Sequence, residues 1–409
     1  MIRRLAPAAS FALLGALLLA ACSRRSGDDG SGGSSSGSPT TEIDAGTFDK
    51  AALLRAFGEC AFTTARDFSA AAAELEAAAK AAEAAGTPEA RSAAREAWKK
   101  AIDVWQRAEL MQFGPAAMTG SPGGQDMRDG IYSWPLVGRC LIESQIVAGT
   151  YDQPAFATAL VSTKSLAALE YLLFYEGTDN ACAPTNSINS QGTWAALGDA
   201  ELAKRKAAYA RAVAVDVAAR ARALADAWDP AKGNFVGTME TAGSNPTFAS
   251  QQMAFNAVSD AMFYLDDQFK NMKVGKPAGL VPDCTAATCL EAVESPWARR
   301  SKEHLRANVA GYDALLRGCG ANGEGLGFDD LLTAVGASQA ATKLDGTVVE
   351  IRAALDALVE PTFEEDIQKN PAGVQRLFDA LRANASAMKS EMATILDLEL
   401  PKRVEGDND

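Results

Sequence analysis

The chain is 409 residues long, 48% hydrophobic and 22% charged, with a formal net charge of −13 and a pI near 4.8. An acidic balance of that size argues against nucleic acid and against an electrostatic grip on anionic lipid, and makes cations the more natural small partners. The only histidine is His304, so a zincin with two histidines one turn apart is excluded, and any serine or cysteine triad would have to recruit that one ring.

Arg3 and Arg4 precede an apolar run from Phe11 to Leu19, followed by Ala20, Ala21 and Cys22. The run is too short to span a bilayer, and Leu19 to Cys22 reads as a lipobox, which makes residues 1–22 a lipoprotein signal peptide cleaved before Cys22. A lipid on Cys22 then anchors the mature protein to a membrane without threading it through. Ser23 follows, where an Asp would argue for inner-membrane retention, so the outer membrane facing the periplasm is favoured. Residues 23–46 are rich in Gly and Ser and read as a flexible linker, with the globular part at 47–409.

In an oxidising compartment, Cys60, Cys140, Cys182, Cys284, Cys289 and Cys319 read as disulfide candidates. Cys284 and Cys289 lie close together in a loop and are the expected pair; the pairing of the other four is left open by the sequence. A zinc site is the rival reading, disfavoured because paired short Cys-x-x-Cys elements are missing.

Residues 48–84 carry Leu54, Phe57, Ala61, Phe68, Leu75 and Ala82 on one stripe, which predicts a long helix ended by Gly86. Thr87 and Pro88 supply an N-cap and a first-turn proline for a second helix that runs to about Gln112 and stops at Gly114 and Pro115. Trp98, Ile102 and Trp105 mark its buried face, and Glu109 falls on the same face. The stretch 118–130 is Gly-rich and polar and reads as an irregular loop bearing Asp126, Arg128 and Asp129. Trp134 and Pro135 re-enter structure, a short helix follows near 136–147, and the next helix starts around Pro154. Inside it, KSLAALEYLLFYEG at 164–177 sets Leu166, Leu169 and Leu173 in one stripe, with Glu170 beside them, so a second carboxylate points inward. Another long helix covers 199–228, and 229–246 is the expected internal boundary. Helices are expected beyond it at 247–272, from Ser295 and Pro296 onward, at 328–359 and at 371–397. With almost no period-two alternation, the chain reads as an all-α bundle protein.

KSLAALEYLLFYEG resembles the signature segment of imelysin-like proteins, written Gly-x-His-x-x-Glu and followed by an apolar Tyr/Phe-Leu-Leu run and a Gly. Glu170 matches the Glu, whereas Ser165 stands at the Gly position and Ala167 at the His position. AWKKAIDVWQRAELMQFGP, the SWP at Ser133 to Pro135, NMKVGKPAGL and VESPWARRSKEHLRANVAGYDALLRG flank it in the family's order, so the resemblance covers nearly everything from Ala51 onward. It implies two packed helical-bundle halves, here at about 47–228 and 247–400. It also implies either a peptidase or a periplasmic part of an iron-uptake system that holds metal through the His-x-x-Glu pair.

Residues three apart on a helix share a face, so such an imidazole and carboxylate converge on one ion. Ala167 removes the imidazole. Glu170 remains, with Glu109 and the loop residues Asp126 or Asp129 as further candidates, and an all-oxygen set suits a hard cation such as iron or calcium better than zinc. The competing reading makes Glu170 and Glu109 structural carboxylates held by Arg128, indole or backbone donors. No catalytic residue is assigned on either reading. His304 reads as a partly exposed structural ring, and Trp98 and Trp105 as core. The expected function is an exported, lipid-anchored protein that captures a cation or small ligand, or docks an uptake partner protein, in a cleft between its bundle halves; a divergent imelysin-type peptidase is the alternative.

Overall fold

The structure is a computed structural model that describes residues 46–404 apart from 321 and 322. The expected signal peptide, Cys22 and nearly all of the expected linker lie outside the described residues. Among the described residues all regular structure is helical, and no helix is long and apolar enough to cross a membrane.

Helix α1 (Lys50–Ala85) starts at Asp49, whose side chain accepts the Ala52 N–H, and ends at Gly86 in the left-handed conformation. Its Leu53, Leu54, Phe57, Phe68 and Leu75 are buried, because α1 is the post around which the first bundle is built. Helix α2 (Pro88–Ala108) runs back along it, opened by Thr87 and Pro88 as expected. Short α3 (Met127–Ile131) and α4 (Arg139–Ala148) lead to α5 (Leu166–Phe174), and after α6 (Ser187–Ser190) the long α7 (Gly198–Trp228) closes the bundle against α1 and α5. Helix α8 (Phe235–Glu240) packs on α1, so the 229–246 stretch carries an element of its own.

The second bundle begins with α9 (Gln251–Met262) and a π-helical segment (Leu265–Gly275) that runs into α10 (Lys276–Ala278). It continues with α11 (Ser301–Arg317), α12 (Phe328–Ala334), α13 (Ser338–Asp356), α14 (Phe363–Lys369) and α15 (Pro371–Ala387). Helices α11, α13 and α15 pack on one another, and α15 also covers the π-helical segment. The two bundles meet where α2 crosses α11. A Cβ at Gly311 would lie 2.3 Å from the carbonyl oxygen of Arg107, so the two helices touch backbone to backbone there.

Several helix boundaries differ from expectation for local reasons. Helix α2 stops at Ala108, so Glu109 caps its end instead of extending it. Pro154 opens only a 3₁₀ turn, and α5 waits until Leu166, because Ser165 adopts φ 98°, a region hostile to side chains. That backbone is the physical reason a glycine suits this position in the family pattern. Ser165 holds it with its hydroxyl, which sits 2.8 Å from the Ser133 hydroxyl and accepts the Ala167 N–H. Ser295 and Pro296 do not open α11; Ser295 and Arg299 both have positive φ, forming a turn, and α11 begins at Ser301. Residues 247–272 divide into α9 and the π-helical segment, and 328–359 is broken at Gly336, where φ is 83°.

All six described cysteines are paired. Cys284–Cys289 is the expected bridge, and the two that sequence left open are Cys60–Cys319 and Cys140–Cys182. Cys60–Cys319 ties α1 to the loop after α11, across 259 residues of sequence, so it links the two bundles covalently.

Candidate functional site

Helix α5 is largely apolar, and Glu170 is its one carboxylate, only 2% exposed. The turn before α11 answers it: the backbone N–H groups of Trp297 and Ala298 donate to Glu170 Oε1 at 3.0 and 2.9 Å. Positive φ at Ser295 and Arg299 turns this segment out of helix, which is what aims its amides at the carboxylate. Burial pushes the Glu170 carboxyl up to about 7, against the pull of those amides and the Ser295 hydroxyl and with help from the nearby Glu294 charge.

Glu109 is fully buried at the end of α2. The Arg128 guanidinium grips it through two bonds, Nε to Oε1 at 3.1 Å and Nη2 to Oε2 at 2.8 Å, and the Tyr264 hydroxyl donates to Oε2 at 2.8 Å. Asp129, half exposed, takes the other side of the same guanidinium at 3.0 Å. Asp126 faces elsewhere: it is tied to Thr119, accepting its backbone N–H at 2.7 Å and its hydroxyl. The four candidate ligands therefore fall into three settings, and only Glu109 and Asp129 share a neighbour, which is a cation. Among the described residues no group of three or more His, Cys, Asp or Glu is arranged to hold a metal ion. This donor set does not fit an iron or calcium centre, because its carboxylates do not converge and Glu109 is already neutralised by Arg128.

Sequence reasoning passed over the centre of the bundle interface. Lys273, from the π-helical segment, is fully buried and lies 3.0 Å from Glu294 Oε2, while its ammonium donates to Gln106 Oε1 at 2.7 Å and Asn308 Oδ1 at 2.8 Å. Glu294 Oε1 accepts from Gln106 Nε2 at 2.9 Å and from the Tyr132 hydroxyl at 2.7 Å. Burial alone would raise the Glu294 carboxyl, but Lys273, His304 and Tyr132 outweigh it and hold it well below the usual carboxylate range. Burial lowers the Lys273 ammonium, opposed by Glu294 and Glu109. His304 is fully buried, not partly exposed: its Nδ1 lies 3.3 Å from Glu294 Oε2 and 3.2 Å from Gln106 Nε2, and its Nε2 meets no protein partner. The neighbouring α5 is stitched to α2 by the Trp98 indole, which donates to the Leu166 carbonyl at 2.9 Å. Lys273 and Glu294 lie inside the NMKVGKPAGL and VESPW segments, so a signal for them was present; what was missing was their partnership across 21 residues and two turns of loop.

Where the signature segment emerges at Tyr175 to Gly177, it lines a cleft of about 770 Å³ between α1, α2, α5 and α7. Ala79, Ala82, Leu172, Leu173 and Ala203 form its apolar walls, and Arg91, Arg95 and Lys206 project charge toward it. Lys206 sits in the AKRKAA run of α7, which in sequence looks like an ordinary solvated face.

Three comparisons bear on this arrangement. A family model described as Peptidase_M75: Imelysin matches residues 61–388. No curated protein matches the chain. Among solved structures, a protein from Parabacteroides distasonis ATCC 8503, provisionally described as an iron-regulated protein A precursor, superposes with a TM-score of 0.66 at 16% identity, covering 88% of this chain and 96% of that one. At that identity the likeness speaks for the fold.

Proposed function

Because the chain belongs to the imelysin family, we propose that it is an exported, lipid-anchored binding protein with an iron-related role in the cell envelope, and not a peptidase. One observation carries this: the signature carboxylate Glu170 is held by two backbone amides, and Ala167 leaves no imidazole beside it on α5. A carboxylate that accepts structural amides and faces no nucleophile is poorly placed to activate water or a side chain. Two further buried acids, Glu109 and Glu294, are balanced by Arg128 and Lys273, which suits an interface that holds two bundles in a fixed relation. The open cleft beside the signature segment, which lies within the first bundle and not between the two halves as expected from sequence, suits a small ligand. The iron-related role leans on the description of the Parabacteroides protein and on the family itself.

The enzymatic alternative is decided by peptide turnover. The mature protein and its Glu170→Gln variant should hydrolyse an unstructured protein substrate at the same background rate. A robust rate in the wild type that falls a hundredfold in the variant would establish a peptidase.

Anchoring rests on the Leu19 to Cys22 lipobox. Cys22→Ser should abolish lipid attachment and move the protein from the membrane fraction to a soluble or unprocessed form. A processed variant that still sediments with membranes would show that a lipid on Cys22 is not what holds the protein there.

A further inference from the structure

Resting on the reading of this chain as a binding protein, we propose that the cleft between α1, α2, α5 and α7 binds a small organic carboxylate with an apolar body, for which Lys206 is the buried counter-charge. The cleft, about 770 Å³, lies in the size range of small-molecule sites, roughly 300–1,000 Å³. Ala79, Ala82, Leu172, Leu173 and Ala203 give an apolar body a wall to cover, alongside the charged groups that also line the cleft. Lys206, 8% exposed, stands at the wall with its ammonium donating to the carbonyls of Tyr175 at 3.2 Å and Gly177 at 3.1 Å and lying over the rings of Tyr171 and Tyr175. These partners are neutral. No carboxylate pairs with Lys206 among the described residues: four nearby acids are engaged by other groups, and Asp199 lines the cleft from the first turn of α7 without pairing with Lys206.

Glu143 on α4 faces Lys206 but is bound by Arg139 at 2.7 Å, by the Tyr171 hydroxyl and by the Ala181 N–H. Glu176 pairs with Arg95 at 2.7 Å, and Glu83 pairs with Arg211 at 2.7 Å. Asp179 is taken by Arg139 and Tyr175. Arg91, exposed on the first turns of α2, enters no ion pair among the described residues and adds a second positive charge to the lining. A carboxylate entering the cleft would supply the counter-ion that Lys206 lacks, and an uncharged or cationic ligand would not. A bare anion such as phosphate would match the charge and leave the apolar walls uncovered.

The same geometry fixes a pH dependence. Burial lowers the Lys206 ammonium to about 8, with Glu143 and Asp179 opposing and Arg139 and Arg91 assisting. Lys206 is charged below that pH and becomes neutral as pH rises through it, so carboxylate affinity should be level below pH 8 and fall above it.

The test is calorimetric titration of the mature lipidated protein in nanodiscs, with empty nanodiscs as blank and 4-phenylbutyrate, octanoate and citrate as probes. At least one of the two apolar carboxylates should bind at least tenfold more tightly than 4-phenylbutyramide and than inorganic phosphate. Citrate against ferric citrate separates a free acid from the anionic face of a metal chelate as the form the cleft accepts. Lys206→Met should weaken the bound carboxylate tenfold or more and flatten the fall above pH 8, and Arg91→Ala, on the surface, should weaken it several-fold. No heat from either apolar carboxylate, whether or not citrate binds, overturns the proposal, as does Lys206→Met binding as well as wild type. If Lys206→Met fails to fold, Arg91→Ala together with the amide comparison decides. Peptide turnover lost on Glu170→Gln would instead strike the binding-protein reading, so the two failures are distinguishable.

Discussion

Lys273→Met should lower the stability of the protein by about 3 to 5 kcal/mol, the usual cost of removing one partner from a buried ion pair. Methionine fills nearly the same space, so the loss arises from what the ammonium leaves behind. Glu294 would keep its Gln106 and Tyr132 donors but lose its cation in a site 1% exposed, and Gln106 Oε1 and Asn308 Oδ1 would each lose a donor. The double variant Lys273→Met with Glu294→Gln should recover a large part of the loss, because a neutral amide no longer demands a counter-charge. Urea unfolding of wild type and both variants measures this. A loss under 1 kcal/mol in the single variant would mean that Lys273 and Glu294 are not mutually dependent.

This interface also shows where sequence reading reaches its limit. Helix spacing placed Glu109 and Glu170 inside, and both are inside, since a 3.6-residue period needs only local sequence. The bundle class was legible for the same reason. What answers each carboxylate was not, because Arg128, Tyr264 and the Trp297–Ala298 amides reach them from elements between 19 and 155 residues away. The amides at 297 and 298 depend on a turn, and Ser295–Pro296 reads equally well as a helix start; positive φ at two non-glycine residues is the information sequence does not display. His304 was misplaced by the same limit: its own helix leaves it at the edge of an apolar stripe, and only the arrival of α2 and Glu294 buries it. Lys206 was invisible because a lysine on an amphipathic helix is ordinarily solvated, and its burial comes from the Tyr175–Gly177 chain folding over its head.

Glu170→Gln should make the protein insensitive to a pH effect that the wild type shows between about pH 4 and 8. The folded carboxyl titrates near 7, above its ordinary value of 4.5, because burial outweighs the Ala298, Ser295 and Trp297 donors. A carboxyl whose folded value is raised contributes stability that is complete below its unfolded value and is lost as pH rises through the folded one. The wild type should therefore lose roughly 3 kcal/mol relative to the Gln variant on going from pH 4 to 8, the free energy equivalent of moving the group from its ordinary value to about 7. Glutamine supports the same geometry, since its carbonyl oxygen accepts the Trp297 and Ala298 N–H groups in place of Oε1. The measurement is the difference in unfolding free energy between wild type and variant at several pH values. A difference that stays flat would show that Glu170 titrates at its ordinary value in the folded protein, burial and the amide donors cancelling, so that the signature carboxylate is an anion at neutral pH. The expected slope would show instead a group poised between its two forms near neutral pH, one that a cation could occupy only by displacing both a proton and two backbone donors.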